Sequence, residues 1–346
     1  MKKPEKLKKG DKVALVSLSS GIAGDEKFNH KYELGKKRII EEFGLKIIEM
    51  ENSLKGSKYL KNHPEKRAKD LMDAFKDETI KAIFCNIGGD DTIRLLPYID
   101  FNVISNNPKI FMGYSDATIN HFMMNKAGIV SYYGPSVMAE FGENCKMHDY
   151  TKQSIIKTLF ENSIQNKIYS SNKWTSECLS WLNKNNDAIE RKTKQEKHKI
   201  EILQGQNDIE GELIGGCIDT FHMFIGSSIW SCIDWNNKVL FLETSEDKPE
   251  PNFIAQLLRN PLFVEALSKV KGILIGKPVD ETYYDEYKNT ILSVIKNEMA
   301  LDKVFIGYNY NFGHTAPMAI MPIGIKVKIK IKDGSIEFLE SATKEE

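Results

Sequence analysis

The first half of the chain repeats one pattern, in which a short apolar run leads into a polar or glycine-bearing loop and then into a segment with helical periodicity. The apolar runs predict five strands, at Val13–Leu18, Leu45–Met50, Ile80–Asn86, Lys109–Met112 and Ile129–Tyr133. The helical segments lie between them, at Lys31–Phe43, Pro64–Phe75 and Ala117–Lys126. Strands that alternate with helices indicate an α/β fold with a mostly parallel sheet, whose functional loops lie beyond the carboxyl ends of the strands.

The composition changes between Tyr169 and Asp208, where Asn, Lys, Gln and Glu dominate. We interpret this stretch as an insert that connects two domains. The second unit has predicted strands and one predicted helix, at Val239–Glu243, Gly272–Ile275, Val304–Tyr308 and, for the helix, Phe253–Arg259. Alternating residues before Asp333-Gly334 predict a β-hairpin near the end of the chain. The predicted domains are therefore residues 1–168, an insert over 169–208, and residues 209–346.

The charged residues balance, with 48 Lys and Arg against 48 Asp and Glu, so no net field favours a nucleic acid polymer. No apolar h-region of a signal peptide follows the basic N-terminus, and no uninterrupted apolar stretch approaches the roughly 18 residues that a membrane span needs. The five cysteines are scattered at positions that fit neither a disulfide framework nor a Cys-x-x-Cys metal site. We expect a cytoplasmic protein that does not contact a membrane.

Ser115 lies in Gly113-Tyr114-Ser115-Asp116-Ala117, between a predicted strand and a predicted helix. A serine on a sharp strand-to-helix turn exposes its Oγ, and the free N–H groups at the helix start can hold an oxyanion. The alternative is that Ser115 or Asp116 only caps the helix. The stretch lacks the second glycine of Gly-x-Ser-x-Gly, so it differs from the nucleophile elbow of α/β-hydrolases. Ser115 is therefore a candidate nucleophile with a structural alternative.

His314 and Glu243 each follow an apolar strand. Gly313 and Pro317 flank the histidine and indicate a shaped loop, where a neutral imidazole can act as a general base. Glu243 comes directly after four apolar residues, and a carboxylate at such a position needs a partner, for which a histidine is suitable. The alternatives are a loop histidine that is hydrogen-bonded for structure and a strand that simply emerges into solvent.

The loop Ile87-Gly88-Gly89-Asp90-Asp91 also follows a strand and precedes a helix. Glycines at such a turn allow a substrate to approach the backbone closely. The loop resembles the Gly-Gly-Asp loop of phosphofructokinases, which binds phosphate, so a nucleotide-dependent kinase is an alternative of another class. A tight turn without function is the structural alternative. The sequence contains no His-Glu-x-x-His and no Cys/His cluster with ligand spacing, so we expect no metal site.

Together these stretches resemble the LD-carboxypeptidase family of serine peptidases, and the resemblance extends over nearly the whole chain. The matching stretches are Gly10–Ala14, Ile87–Gly89, Gly113–Asp116, Tyr133–Pro135, Gly211–Gly216, Leu242–Glu246 and Gly313–Thr315. The resemblance implies a catalytic triad of Ser115, Glu243 and His314. It also implies a Rossmann-like N-terminal domain, a β-rich barrel-like C-terminal domain, a homodimer, and a reaction without metal or cofactor.

An oxyanion hole follows from the same resemblance. The backbone N–H of Asp116 and an N–H of Gly88 or Gly89 are the expected donors to the oxygen of the tetrahedral intermediate. The triad and these donors come from both predicted domains, so the resemblance places the catalytic cleft between them.

The family has two branches that differ in substrate. One removes the terminal D-alanine from murein tetrapeptides, and the other, the microcin C immunity type, cleaves an amide between a peptidyl group and a nucleotide-like moiety. The stretch from Ser171 to Trp181 resembles the loop that stacks on the nucleobase in the second branch, so Trp174 and Trp181 are candidate base-stacking residues. The alternative is that both rings pack against the body of the protein. Lys248 is a candidate contact for an acidic substrate group, or else an ordinary surface lysine.

Overall fold

The computed structural model describes residues 1–161 and 167–345. Within these ranges the strands are β1 (Lys12–Val16), β2 (Lys46–Glu49), β3 (Ile80–Cys85), β4 (Ile110–Gly113), β5 (Ser131–Tyr133), β6 (Lys167–Ile168), β7 (Lys173–Trp174), β8 (Lys194–Gln195), β9 (Glu201–Gln204), β10 (Ile209–Cys217), β11 (Lys238–Glu243), β12 (Gly272–Gly276), β13 (Phe305–Tyr310), β14 (Met321–Ile323), β15 (Lys326–Ile329) and β16 (Ile336–Phe338).

The α-helices are α1 (Asn29–Phe43), α2 (Ser57–Asn62), α3 (Pro64–Lys76), α4 (Phe101–Asn106), α5 (Ala117–Lys126), α6 (Asp149–Ile155), α7 (Ile218–Phe221), α8 (Pro251–Leu258), α9 (Pro261–Leu267) and α10 (Tyr284–Leu292). Short 3₁₀ segments lie at Ile22–Gly24, Thr92–Tyr98, Lys184–Ala188 and Val279–Glu281, and π segments at Val137–Phe141, Ile156–Phe160 and Ser293–Glu298. Pro64 opens α3, and Gly44 follows α1 in a left-handed conformation with φ 68°.

The first sheet has six strands in the order β14-β5-β4-β3-β1-β2. Its five N-terminal strands are parallel, and β14 pairs with β5 in the antiparallel direction. The five strands predicted in the first half of the chain are all present, with ends that shift by one or two residues. The expectation of a mostly parallel α/β sheet is confirmed.

The second sheet has eight strands in the order β6-β16-β15-β10-β11-β12-β13-β9. Strands β10 to β13 form a parallel centre, and antiparallel strands extend it on both sides. The predicted hairpin is β15 and β16, in which Val327 pairs with Phe338 and Ile329 with Ile336. The C-terminal part is thus a curled β-rich half-barrel, as the family resemblance implied.

The units defined by the two sheets exchange segments of chain. Strand β6 and strand β9 lie outside residues 209–346 but pair into the second sheet, because their backbone groups satisfy its two edges. In return, β14 completes the first sheet, and Lys344 exchanges backbone hydrogen bonds with Pro4 and Lys6. One apolar cluster runs through both units and includes Phe122, Phe221 and Phe241. Each sheet therefore contains strands from outside the predicted sequence range to which most of its strands belong.

No helix within residues 1–161 and 167–345 is long and apolar enough to cross a membrane.

Candidate active site

Ser115 lies at the junction of β4 and α5, in the sharp turn that the sequence predicted. Its φ is 61°, a left-handed conformation that is uncommon for a residue with a side chain. Such strain persists only where the surrounding structure maintains it. The backbone N–H of Ser115 donates a hydrogen bond to the hydroxyl of Tyr133 at 3.1 Å. The turn presents the half-buried Ser115 side chain beyond the carboxyl end of β4.

The loop that follows β3 packs directly against this serine. A Cβ at Gly88 would lie 2.8 Å from Cβ of Ser115 and 2.9 Å from its Oγ, so only glycine fits there. A Cβ at Gly89 would clash with the side chain of Ser19. The same Gly88 position is 3.5 Å from the backbone nitrogen of Asp116. The structure therefore places Gly88 against the side chain of Ser115 and near the backbone nitrogen of Asp116, while Gly89 packs on Ser19.

The side chain of Asp116 has a structural role. It is fully buried, and one oxygen accepts hydrogen bonds from the Ser19 hydroxyl at 2.5 Å and from the backbone N–H of Thr92 at 2.9 Å. These bonds connect the loops after β1 and β3 to the start of α5. The backbone N–H of Asp116 precedes the first turn of α5, where helical amides have no intrahelical partner, and it is available for an oxyanion.

Glu243 and His314 form a close pair. Nδ1 of His314 lies 2.8 Å from Oε2 of Glu243, and the backbone N–H of His314 lies 3.3 Å from the same oxygen. Glu243 is 1% exposed at the end of β11, so this buried carboxylate has the partner that its sequence position required. Gly313, at φ 90°, is packed so closely on Glu243 that any side chain would collide with the carboxylate.

The other ring nitrogen of His314 has a second acidic neighbour. Nε2 lies 3.0 Å from Oε2 of Glu246, whose side chain is largely exposed. Burial alone lowers the pKa of His314, but the carboxylates of Glu243 and Glu246 outweigh it and raise this pKa well above its usual value. The hydrogen bond from His314 lowers the pKa of Glu246 to about 2, against a smaller effect of burial. The ring therefore lies between two carboxylates, both of which favour its protonated form.

Ser115 and His314 are brought near each other through Tyr114. The ring of Tyr114, next to Ser115 in the chain, packs edge-on against the ring of His314 with centroids 4.9 Å apart. Among the described residues, the hydrogen bonds of His314 connect its ring to Glu243 and Glu246, and none connects it to Ser115. Glu246 occupies the nitrogen that a serine hydroxyl would use. In this structure both ring nitrogens of His314 are therefore occupied by carboxylates.

Sequence reasoning missed three contributors to this site, which are Tyr133, Cys217 and Glu246. Tyr133 donates from its hydroxyl to Oε1 of Glu243. Cys217 is the register partner of Glu243 on the neighbouring strand, and its sulfur lies within 4.8 Å of ligand atoms of Glu243 and His314. Strand register was the necessary information for Cys217 and sheet packing for Tyr133, because both residues are far from Glu243 in sequence. The three-residue spacing from Glu243 to Glu246 was the only local signal.

The predicted substrate residues have different surroundings. Trp174 is 1% exposed, with Nζ of Lys277 and of Lys194 at 4.4 Å and 4.6 Å from the ring centre, so it packs in the interior. Trp181 is half-buried against the first domain, with Nζ of Lys31 5.8 Å from its ring. Nζ of Lys248 forms an ion pair with Asp280 at 2.7 Å. Trp181 is thus the more accessible of the two rings.

A groove of about 610 Å³ lies between the insert and the segment that begins at Glu143. Its lining includes Arg191 and Pro317 but not Ser115, Glu243 or His314. Arg191 forms a bidentate pair with the buried Glu143, which fastens the insert to the first domain. The insert therefore has a defined place against the first domain.

Comparisons with known proteins agree with this geometry. Residues 13–134 match the model of the LD-carboxypeptidase N-terminal domain, and residues 210–329 match that of the LD-carboxypeptidase C-terminal domain. The crystal structure of an MccF-like protein from Streptococcus pneumoniae in complex with AMP superposes with a TM-score of 0.87 and 34% identity, covering 95% of this chain and 98% of that chain.

Two curated relatives are similar over most of their length. The Microcin C7 self-immunity protein MccF of Escherichia coli is 28% identical over 87% of this chain and 86% of its own. A probable murein peptide carboxypeptidase of Bacillus subtilis is 29% identical over 94% of this chain and 90% of its own. Both family domains are present in order, and they include Ser115 and Glu243 with the neighbouring strands. The chain belongs to the LD-carboxypeptidase family of serine peptidases.

Proposed function

We propose that this protein hydrolyses the amide between an acyl or peptidyl group and a nucleotide-like moiety, such as an aminoacyl sulfamoyl adenosine or a phosphoramidate adenylate. The observation that carries the proposal is the His314–Glu243 pair, whose histidine ring packs on Tyr114, the residue before the strained Ser115. The relative that was crystallised with AMP supports a nucleotide on the leaving side of the bond.

In the proposed mechanism the proton of the Ser115 hydroxyl passes to Nε2 of His314 while Oγ attacks the scissile carbonyl carbon. Glu243 keeps Nδ1 protonated and stabilises the imidazolium. The amides of Asp116 and of Gly88 or Gly89 donate to the oxyanion. The C–N bond then breaks, His314 returns the proton to the leaving nitrogen, and water hydrolyses the acyl-enzyme to regenerate Ser115.

The first step requires the Glu246 carboxylate to leave Nε2 of His314. Glu246 is exposed and follows the strand on a loop, so it can turn into solvent when a substrate enters. Its departure also removes one of the two charges that hold the imidazolium. The histidine becomes a competent base only in the substrate complex.

The nucleotide side of the substrate is assigned to the insert. Trp181 is proposed as the ring that stacks on the base, since one face of an aromatic ring suits any nucleobase. Trp174 is proposed as a buried support of the same insert. Lys248 is proposed to contact an acidic substrate group after exchanging its present partner, Asp280.

Two substrates offered side by side test this proposal. Purified protein is given an aminoacyl sulfamoyl adenosine and a murein tetrapeptide, and product release is measured by mass spectrometry. We expect cleavage of the first at the amide, and we expect Ser115→Ala to abolish it while AMP binding and thermal stability stay unchanged. Turnover by Ser115→Ala above a trace would remove Ser115 from its assigned role.

A murein tetrapeptide LD-carboxypeptidase is the second candidate, and the relative in Bacillus subtilis favours it. The same triad would then cut an L–D bond and release D-alanine. Preferential cleavage of the tetrapeptide in the paired assay would establish this function instead. The kinase alternative is not favoured, because Gly88 packs against Ser115. Magnesium-dependent consumption of ATP that survives Ser115→Ala would support it.

We also propose that the enzyme works as a homodimer in the cytoplasm. The family resemblance supports the dimer, and the five cysteines, which are all free, are compatible with a reducing compartment. Light scattering coupled to gel filtration measures the oligomeric state. A monomer at micromolar concentration would contradict the first part, and disulfide formation in cells would contradict the second.

A further inference from the structure

The hydroxyl of Tyr133 lies between the nucleophile's backbone and the carboxylate of the triad. It accepts the N–H of Ser115 at 3.1 Å and donates to Oε1 of Glu243. The direction of both bonds is fixed, because an amide can only donate and a carboxylate can only accept. Tyr133 is 1% exposed, so both bonds lie away from solvent. One side chain thus connects two catalytic residues that belong to different sheets.

We infer that Tyr133 is a positioning residue for catalysis, which holds the Ser115 turn and the Glu243 carboxylate in register with each other. The inference deepens the proposed function and rests on it. It assigns a task to a hydroxyl that sits at the centre of the site and would not itself touch the substrate.

The first part of the task concerns the serine. The backbone of Ser115 has a left-handed conformation, with φ 61°. The hydrogen bond from its N–H to the Tyr133 hydroxyl helps to maintain this strained conformation. The same bond directs the Ser115 amide away from the cleft. The amide of Asp116 is then the one at this turn that can meet an oxyanion. Loss of the hydroxyl would relax both features.

The second part concerns the carboxylate. Oε2 of Glu243 faces His314, while Oε1 receives the tyrosine hydroxyl, so the carboxylate cannot rotate without breaking a buried bond. Burial and the charge of Glu243 raise the pKa of Tyr133 well above its usual value, so the hydroxyl stays a donor. The ring is fixed by Phe241 and His121, whose centroids lie 5.4 Å and 5.6 Å away.

The hydrogen bond from Tyr133 to Glu243 also affects how strongly the Glu243 carboxylate stabilises a proton on His314. A donor on Oε1 stabilises the negative charge of Glu243 and weakens its hold on the His314 imidazolium. The other titratable groups that face this pair are Tyr114, Cys217, Asp219 and Glu246. Replacing Tyr133 with Phe deletes none of these groups. Without the tyrosine donor, we expect the pKa of His314 to rise further.

Tyr133→Phe tests the inference, and Tyr132→Phe is its matched control. Tyr132 is the adjacent buried residue of β5, and its hydroxyl donates to the carbonyl of Ala342, away from the site. We expect Tyr133→Phe to lower kcat by on the order of tenfold to a hundredfold, as for a lost bond to a charged group, with KM unchanged. The acidic limb of the pH profile of kcat/KM should move to higher pH. Tyr132→Phe should keep the activity and the pH profile of the wild type.

A second measurement does not depend on any substrate. The pKa of His314 is followed by NMR of its ring protons in the resting protein, and we expect it to be higher in Tyr133→Phe. Replacing Tyr133 with 3-fluorotyrosine, a more acidic donor, should move it in the opposite direction, and this variant decides the matter if Tyr133→Phe does not fold. A folded Tyr133→Phe with unchanged kcat and an unmoved His314 pKa would overturn the inference. If Ser115→Ala retained turnover, the proposed function would fail, and the NMR result would still stand.

Discussion

The carboxylate of Glu246 lies 3.0 Å from Nε2 of His314, on the ring nitrogen opposite the one that faces Glu243. A histidine held between two carboxylates is stabilised as an imidazolium, which cannot accept a proton from a serine. In this structure the Glu246 carboxylate therefore lies at the ring nitrogen that would accept a proton from a serine. Because Glu246 is exposed and Glu243 is buried, substrate entry can remove the first carboxylate and leave the second in place.

Glu246→Gln should make the free enzyme active at lower pH. The substitution removes one of the charges that raise the pKa of His314, so the neutral ring persists to a more acidic pH. The acidic limb of kcat/KM, which reports groups of the free enzyme, should shift to lower pH, while kcat changes little because Glu246 has already left in the complex. A pH series of steady-state kinetics measures this.

Asp247→Asn is the control for this prediction, since it removes the neighbouring exposed charge, which is not among the groups that raise the pKa of His314. It should leave the profile unmoved. A large loss of kcat in Glu246→Gln would contradict the prediction and would make Glu246 a participant in the chemistry.

Gly88→Ala should inactivate the enzyme without unfolding it. The new methyl group would lie 2.8 Å from Cβ of Ser115 and 2.9 Å from its Oγ, so the nucleophile must move. A displacement of about 1 Å at a reacting atom costs on the order of a hundredfold in rate. Labelling of Ser115 by a fluorophosphonate should slow in parallel with kcat/KM, and thermal unfolding should change little. Wild-type labelling would show that the loop yields instead of the serine.

The N-terminal sheet was predictable because each of its strands carries its own local signal. Each apolar run predicts its own strand, and Pro64 and Gly44 mark the start of α3 and the end of α1. These signals act on neighbouring residues, so the sequence alone is enough to place the elements. The helical pattern of α5 also fits His121, which is fully buried with its ring bonded to Ser131 and Gly113. The sequence also predicted that the loops after β3 and β4 lie side by side, since parallel strands end at the same edge of a sheet.

The interior of the site was not predictable in the same way. Tyr133 and Glu243 meet through the packing of two sheets, and Cys217 meets Glu243 through strand register. Neither contact produces a recognisable pattern of residues at a fixed spacing in the sequence. The tryptophans show the same limit, because the seven-residue spacing of Trp174 and Trp181 does not tell which ring is buried. The insert has little helix to impose a period, so each ring follows its own tertiary contacts.

The two tryptophans should respond differently to truncation. Trp181→Ala should weaken AMP binding by about 1–3 kcal/mol, the worth of one stacked base, as measured by titration calorimetry. Trp174→Ala should instead lower the free energy of unfolding by about 3–5 kcal/mol, because a buried indole is lost. Denaturant unfolding of both variants checks the second effect. Unchanged AMP affinity in Trp181→Ala would contradict the assignment of its ring to the base.

The ion pair of Glu143 with Arg191 should make stability fall in acid. Burial raises the pKa of Glu143, but the neighbouring His148 and the bidentate Arg191 outweigh it and lower this pKa to about 2. A carboxyl whose pKa is depressed on folding contributes stability that is present above its ordinary pKa of 4.5 and is lost as the pH falls toward 2.

Glu143→Gln should therefore cost about 3 kcal/mol of unfolding free energy at pH 7, since it leaves a guanidinium without its partner. The Tm of this variant should vary less than that of the wild type between pH 5 and pH 3. Glu190→Gln, which removes an exposed charge from the same groove, is the control and should follow the wild type. Because Arg191 belongs to the insert, faster proteolysis of the insert in Glu143→Gln should accompany the loss, and equal acid sensitivity of the variant and the wild type would contradict this account.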